Sequence, residues 1–237
     1  MAGVDSTTMS VTGTCVKTMV CIALALGSGG WLYLKMVPNG NLLAGNPAVG
    51  MPFIMGGFIV GAISALATVF KPSLAPITTP VYSLAKGLAL GGLTAWISMS
   101  VRNASIAGQA VGLTFGVLFM MLFLYQTGLI KVTQKLRMAV TAATGAIMLL
   151  YLATFVLSFF GVTVPFIHDA TGYGIAFSLF VVGLAAFNLL LDFDTIDSLV
   201  DARAPKAMEW YGAFALMTTL LWLYMEILRL LAKMNRR

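Results

Sequence analysis

The acidic residues of this chain are concentrated near its C-terminal end, beside two long apolar segments. Six of its eight acidic residues lie there: Asp192, Asp194, Asp197, Asp201, Glu209 and Glu226. Ionisable groups at membrane depth are costly, so they are functional candidates by default. Like charges held close together need an offset, which water, a basic partner, a bound cation or a shared proton supplies. These six residues are therefore the first candidates for a functional site.

Three of these aspartates have helical spacing. If the helix before them continues past Leu191, then Asp194, Asp197 and Asp201 fall at i, i+3 and i+7 and share one face. Alternatively, the helix leaves the membrane at this point, and Asp197 and Asp201 are solvated next to the basic residues that follow, Arg203 and Lys206. The spacing alone leaves both interpretations open.

The elements that must position these residues are membrane-spanning helices. The chain is 59% hydrophobic and 9% charged, with a mean hydropathy of +0.95, whereas soluble domains carry about 25% charged residues. Apolar segments of bilayer length predict seven spans, at residues 17–34, 49–70, 81–100, 106–130, 138–162, 172–191 and 208–231. We expect one all-α, polytopic membrane domain over residues 17–232, with a polar tail at 1–16 and a basic tail at 233–237.

Basic residues in the loops indicate an orientation. The loops after the second, fourth and sixth spans hold six Lys and Arg residues, and those after the first, third and fifth hold two. The positive-inside rule then places the N-terminus in the cytoplasm. The basic tail at 233–237 conflicts with that assignment if seven spans cross. Either the tail outweighs the loops, or the last segment does not cross fully.

The sequence lacks the motifs that are typical of several classes of enzyme and binding protein. The chain has one histidine, His168, and two cysteines, and it has no Gly-x-Gly-Asp, Gly-x-Ser-Gly, P-loop or Gly-x-Gly-x-x-Gly element. We therefore expect no enzyme activity, no cofactor and no firmly assigned metal site. The positive net charge belongs to loops and tail, so nucleic-acid binding is not expected. The expected environment is a lipid bilayer.

Four sequence pieces resemble the Bax inhibitor-1 family, also called the transmembrane Bax inhibitor motif family, most closely its bacterial YccA-like branch. The pieces are GNPAVG at 45–50, PVYSLAKGLALGG at 80–92, FNLLLDFDTID at 187–197 and APKAMEWYGAFALMTTLLWLYMEILRLL at 204–231. The resemblance implies a seven-helix bundle with a central last helix, in a bacterial plasma (inner) membrane. It also implies a pH-sensitive leak of calcium or protons, gated by two aspartates on the sixth and seventh helices. The alternative is a non-transporting regulator that binds a membrane protease.

The family's gating positions carry over only in part. The sixth-helix aspartate matches Asp194, the seventh-helix position holds Thr219, and Lys86 stands where relatives commonly have a glutamate. A lysine inside a bundle must face a carboxylate, lose its charge or snorkel to an interface. Its predicted partners are Asp192, Asp194 or Glu226. The candidate ion-pathway and gating residues are thus Asp194, Asp192, Thr219, Glu226, Lys86 and Glu209.

Overall fold

Seven long helices form the part of the chain that the structure describes, residues 7–160 and 171–236 of a computed structural model. They are α1 (Val11–Met36), α2 (Pro47–Phe70), α3 (Ala75–Val101), α4 (Ile106–Gln126), α5 (Gln134–Phe159), α6 (Gly172–Asp201) and α7 (Met208–Asn235). Short 3-10 turns at Pro38–Gly40, Leu42–Ala44 and Pro72–Leu74 lie between them. All seven helices are long and apolar enough to cross a membrane. The predicted all-α class and seven spans are confirmed.

Most helices extend beyond the apolar segments that predicted them. The first begins at Val11 and not at 17, because the Ser10 side chain caps it by accepting a hydrogen bond from the Gly13 amide. The third begins at Ala75, six residues before the predicted boundary. The sixth continues to Asp201 instead of ending at 191, and the seventh reaches Asn235. Polar residues therefore occupy the ends of continuous helices, and the two predicted tails are shorter than expected.

The last helix is central. Helix α7 packs against α1, α3, α4 and α6, whereas α2 packs mainly on α3, and α5 mainly on α6. Its buried residues face several neighbours, with Leu223 and Leu228 completely enclosed. At 28 residues, α7 is about 42 Å long, which exceeds the thickness of the hydrocarbon core. The last helix is therefore long enough to span a bilayer.

Glycines bring α1, α2 and α3 into close contact. A Cβ added to Gly91 would collide with the backbone of Gly29, and one added to Gly57 would collide with the carbonyl oxygen of Ala85. Close backbone approach at small residues is the usual packing device of membrane helices. These glycines thus serve as packing contacts between neighbouring helices.

The bundle has two ends, which we name by position. The aspartate end comprises the connections at 71–74, 127–133 and 202–207; the opposite end comprises those at 37–46 and 102–105 and the C-terminal end of α7. The chain before α1 is fastened at the aspartate end, where the Met9 amide donates to the Ala204 carbonyl (2.8 Å) and the Lys206 amide donates to the Thr7 carbonyl (3.0 Å). His168 lies outside the described residues.

Candidate functional site: a carboxylate between the sixth and seventh helices

Asp192 and Thr219 face each other across the α6–α7 interface. Asp192 lies nine residues before the end of α6, and Thr219 lies eleven residues after the start of α7. At 1.5 Å per residue these positions are about 14 and 16 Å inside the aspartate end. The Thr219 hydroxyl interacts with the Asp192 carboxylate. The two side chains therefore share one depth, about a third of the way into the bundle from the aspartate end.

The Asp192 carboxylate is only partly satisfied. Its Oδ2 atom is buried and has no hydrogen-bond partner among the described residues. Residues within one helical turn of the pair belong to a buried apolar cluster, from α6 (Leu189, Leu190, Phe193) and from α7 (Leu216, Leu220, Leu223). An ionised carboxylate in such surroundings is costly unless a proton, a cation or water compensates it. The arrangement is chemically suited to binding a proton or a cation.

Asp194, two residues further along, has a different neighbour from the one predicted. It forms an ion pair with Arg137 near the start of α5, and its side chain is 26% exposed. The sequence comparison placed Asp194 opposite Thr219 on the last helix. Residues two apart on a helix point in nearly opposite directions, so the choice between 192 and 194 decides which neighbour is reached. In the structure, Asp192 is the aspartate that faces Thr219.

The other two aspartates of α6 are also separated from one another. The Tyr125 hydroxyl of α4 donates a 2.6 Å hydrogen bond to Asp197 Oδ2, and Asp201 is exposed at the end of α6. The helix does continue past Leu191, as one of the two interpretations required. Repulsion between the three carboxylates is offset because each has a different environment: Asp194 pairs with α5, Asp197 accepts a hydrogen bond from α4, and Asp201 is in solvent.

Glu209 connects the last helix to the start of the first. Its side chain is 1% exposed and forms an ion pair with Lys17 of α1. Its Oε1 atom also accepts hydrogen bonds from the Ser10 amide (3.1 Å) and the Ser10 hydroxyl (3.0 Å). The Lys17 ammonium lies 5.6 Å from the centre of the Trp210 ring. These contacts give Glu209 a structural role at the aspartate end.

Glu226 is neutralised within a separate polar network towards the opposite end. Arg229, one turn further along α7, donates to both carboxylate oxygens at 3.0 and 3.1 Å. Tyr151 of α5 donates at 3.0 Å and Trp222 at 3.3 Å. Arg229 also donates to the Tyr151 hydroxyl at 2.8 Å, and its guanidinium lies 5.0 Å from that ring's centre. The i, i+3 spacing of Glu226 and Arg229 was the available sequence signal for this network.

Lys86 has aromatic neighbours instead of a carboxylate. Its ammonium lies 4.8 Å from the centre of the Phe58 ring and 6.0 Å from that of Tyr82. The ion pairs among the described residues do not include it, so the predicted pairing with Asp192, Asp194 or Glu226 is wrong. Because α3 begins at Ala75, Lys86 is eleven residues, or about 16 Å, from the helix start. The rings supply a cation–π environment at that depth.

The described residues contain no group of three or more His, Cys, Asp or Glu side chains that could hold a metal ion.

Comparison with known proteins identifies the family of the chain. No curated protein and no solved structure matches the chain. The profile of the family described as "Bax inhibitor 1 like" matches residues 2–236, which is nearly the whole chain. This seven-helix integral membrane protein therefore belongs to the Bax inhibitor 1-like family.

Proposed function

We propose that the protein is a low-flux, pH-sensitive cation leak, not an enzyme, and that the protonation of Asp192 controls it. The observation that carries this proposal is the partly unsatisfied carboxylate of Asp192, about 14 Å inside the aspartate end in the α6–α7 interface. A carboxylate oxygen binds a proton directly, and it can supply one of the six to eight oxygen ligands that Ca²⁺ takes. Asp192 replaces Asp194 as the central residue of the gate that the family resemblance suggests.

The described conformation corresponds to a closed state of this leak. Leu189 and Leu223 are fully buried on the two sides of the interface, and Leu220 is nearly so. A hydrated cation cannot pass a packed apolar layer, so conduction requires α6 and α7 to separate there. Loss of the proton from Asp192 would favour that separation, because the charged carboxylate attracts water into the interface.

Two polar contacts hold α6 to its neighbours on the aspartate side of Asp192. Arg137 of α5 pairs with Asp194, and Tyr125 of α4 donates to Asp197. A movement of α6 away from α7 must carry these contacts along or break them. We infer that they limit the opening and keep the flux low. The aspartate end also holds most of the basic loop residues, and the positive-inside rule then assigns it to the cytoplasm.

Flux into liposomes tests the proposal. The purified protein is reconstituted with a Ca²⁺ indicator or a pH indicator inside the vesicles, and flux is measured at several external pH values. Asp192→Asn removes the titrating group while keeping its shape, so we expect its flux to lose the pH dependence. Asp201→Asn is the matched control, because Asp201 is exposed at the end of the same helix; its flux should equal that of the unmodified protein.

A second variant tests the position opposite Asp192. Thr219→Asp places two carboxylates together, and such a pair holds a shared proton up to a higher pH than a single carboxylate does. We expect the pH response of flux to move to higher pH. Flux with an unchanged pH profile in both Asp192→Asn and Thr219→Asp would remove Asp192 from the gate. Absence of flux at every pH would refute the leak and favour a non-transporting regulator of a membrane protease.

A further inference from the structure

An apolar crevice lies between four helices in the half of the bundle nearer the opposite end. It has a volume of about 360 Å³ and is lined by residues of α1, α3, α4 and α7. The Thr94 hydroxyl and the Tyr224 hydroxyl lie within its lining, 2.7 Å apart in a hydrogen bond with each other. The Thr114 hydroxyl donates to the Ala110 carbonyl of its own helix. The polar groups of the lining are thus satisfied internally, and the crevice offers hydrocarbon surface.

The crevice exists because α1 and α4 both pack on α7 but scarcely on each other. Glycines form part of its wall on each side: a Cβ added to Gly30 of α1 or to Gly108 of α4 would meet no atom within 4 Å. Both glycines are exposed, as is Leu26, which also lines the crevice. The opening is therefore lateral, between α1 and α4.

The position of the crevice determines what surrounds it. Its α4 wall is formed by residues 107–115, and α4 begins at Ile106 at the opposite end. The wall is thus about 12 Å tall, close to one leaflet of a hydrocarbon core that is about 30 Å thick. At this depth the medium outside the helices is acyl chain. Its volume also falls in the range of sites for small ligands, about 300–1,000 Å³.

The adjoining surface at the opposite end favours a negatively charged headgroup. The Tyr33 hydroxyl, in the lining, donates to the Ala104 carbonyl (3.4 Å) in the α3–α4 connection, which also carries the exposed Arg102. Lys35 and Arg236 lie at the same end, and the described residues of its connections include no Asp or Glu. A phosphate group is attracted to such a basic surface.

We propose that this crevice is a binding site for one acyl chain of a phospholipid from the leaflet at the opposite end, with the phosphate beside the connection that carries Arg102. The chain fills the space between α1 and α4, where the helices themselves leave α7 uncovered. This site is independent of the Asp192 gate.

Retention of a defined phospholipid tests the site. The protein is purified in mild detergent, incubated with palmitoyl-oleoyl phosphatidylglycerol, and measured by native mass spectrometry. Gly108→Leu and Gly30→Leu each place a side chain in the crevice, and displacing roughly two methylene groups weakens binding about tenfold. Gly112→Leu is the matched control, because Gly112 is on α4, is exposed and has open space for a Cβ, but does not line the crevice.

The outcomes separate the proposal from its competitors. One phospholipid retained by the unmodified protein and by Gly112→Leu, but bound about tenfold more weakly by both filling variants, supports the site. Equal retention in all four proteins would overturn it, since the lipid would then be bound elsewhere. Retention of no phospholipid, or of a free fatty acid instead, would also overturn it. Circular dichroism of each variant establishes that the helices are intact.

Discussion

The ion pair between Lys17 and Glu209 predicts an unequal response to removal of its two partners. The Glu209 side chain is 1% exposed, whereas that of Lys17 is 19% exposed. Removing one member of a buried pair leaves an uncompensated charge and costs about 3–5 kcal/mol. Lys17→Met strands the fully buried carboxylate, so we expect the upper part of that range. Glu209→Gln leaves an ammonium that reaches solvent and the Trp210 ring, so we expect a smaller loss, about 1–2 kcal/mol.

The double variant Lys17→Met/Glu209→Gln removes both charges, and its loss should be smaller than the sum of the two single losses by at least about 1 kcal/mol. The free energy of unfolding is measured by titration of mixed micelles with dodecyl sulfate, with helicity as the signal. Lys35→Met is the matched control, because Lys35 lies on the same helix, is exposed and has aromatic neighbours instead of a carboxylate. Additive losses, or a larger loss for Glu209→Gln than for Lys17→Met, would refute this reasoning.

Three further substitutions test packing and hydrogen bonding by the same unfolding assay. Gly91→Ala should destabilise the bundle by about 1–3 kcal/mol, because the added Cβ collides with the backbone of Gly29; a neutral result would mean that α1 and α3 are further apart. Gly27→Ala, where a Cβ meets nothing within 4 Å, should instead stabilise it by about 0.5–1 kcal/mol. Tyr125→Phe should cost about 1–3 kcal/mol, because it removes the hydroxyl that donates to Asp197; no change would show that water replaces the hydroxyl.

Composition and apolar length were sufficient to predict the number and type of the helices. Helix ends were less predictable, since the first residues of α1 and α3 and the last residues of α6 lie outside the apolar segments. The candidate acids were found because carboxylates beside apolar segments are conspicuous.

The partners of those acids could not be predicted from the sequence. Arg137 of α5 and Tyr125 of α4 bind two different aspartates of α6. Tyr151 of α5 binds Glu226 of α7. Such pairs depend on which helices are neighbours and how each is rotated about its axis. Apolar patterns in a sequence reveal neither the neighbours nor the rotation of a helix. For this reason Asp194 was predicted to face Thr219 where the structure has Asp192, and the predicted partner of Lys86 was wrong.

The fastening of the chain start to the α6–α7 connection has a consequence for biogenesis. During synthesis α1 emerges before α7, yet the backbone contacts of residues 7–9 and the partner of Lys17 belong to residues 204–209, which emerge only after α2 to α6. The first helix must therefore remain in the membrane without the partner of its lysine until the five helices α2 to α6 have been synthesised. The packing of α1 is completed only when α7 is added, and a nascent chain interrupted before α7 leaves α1 without these contacts.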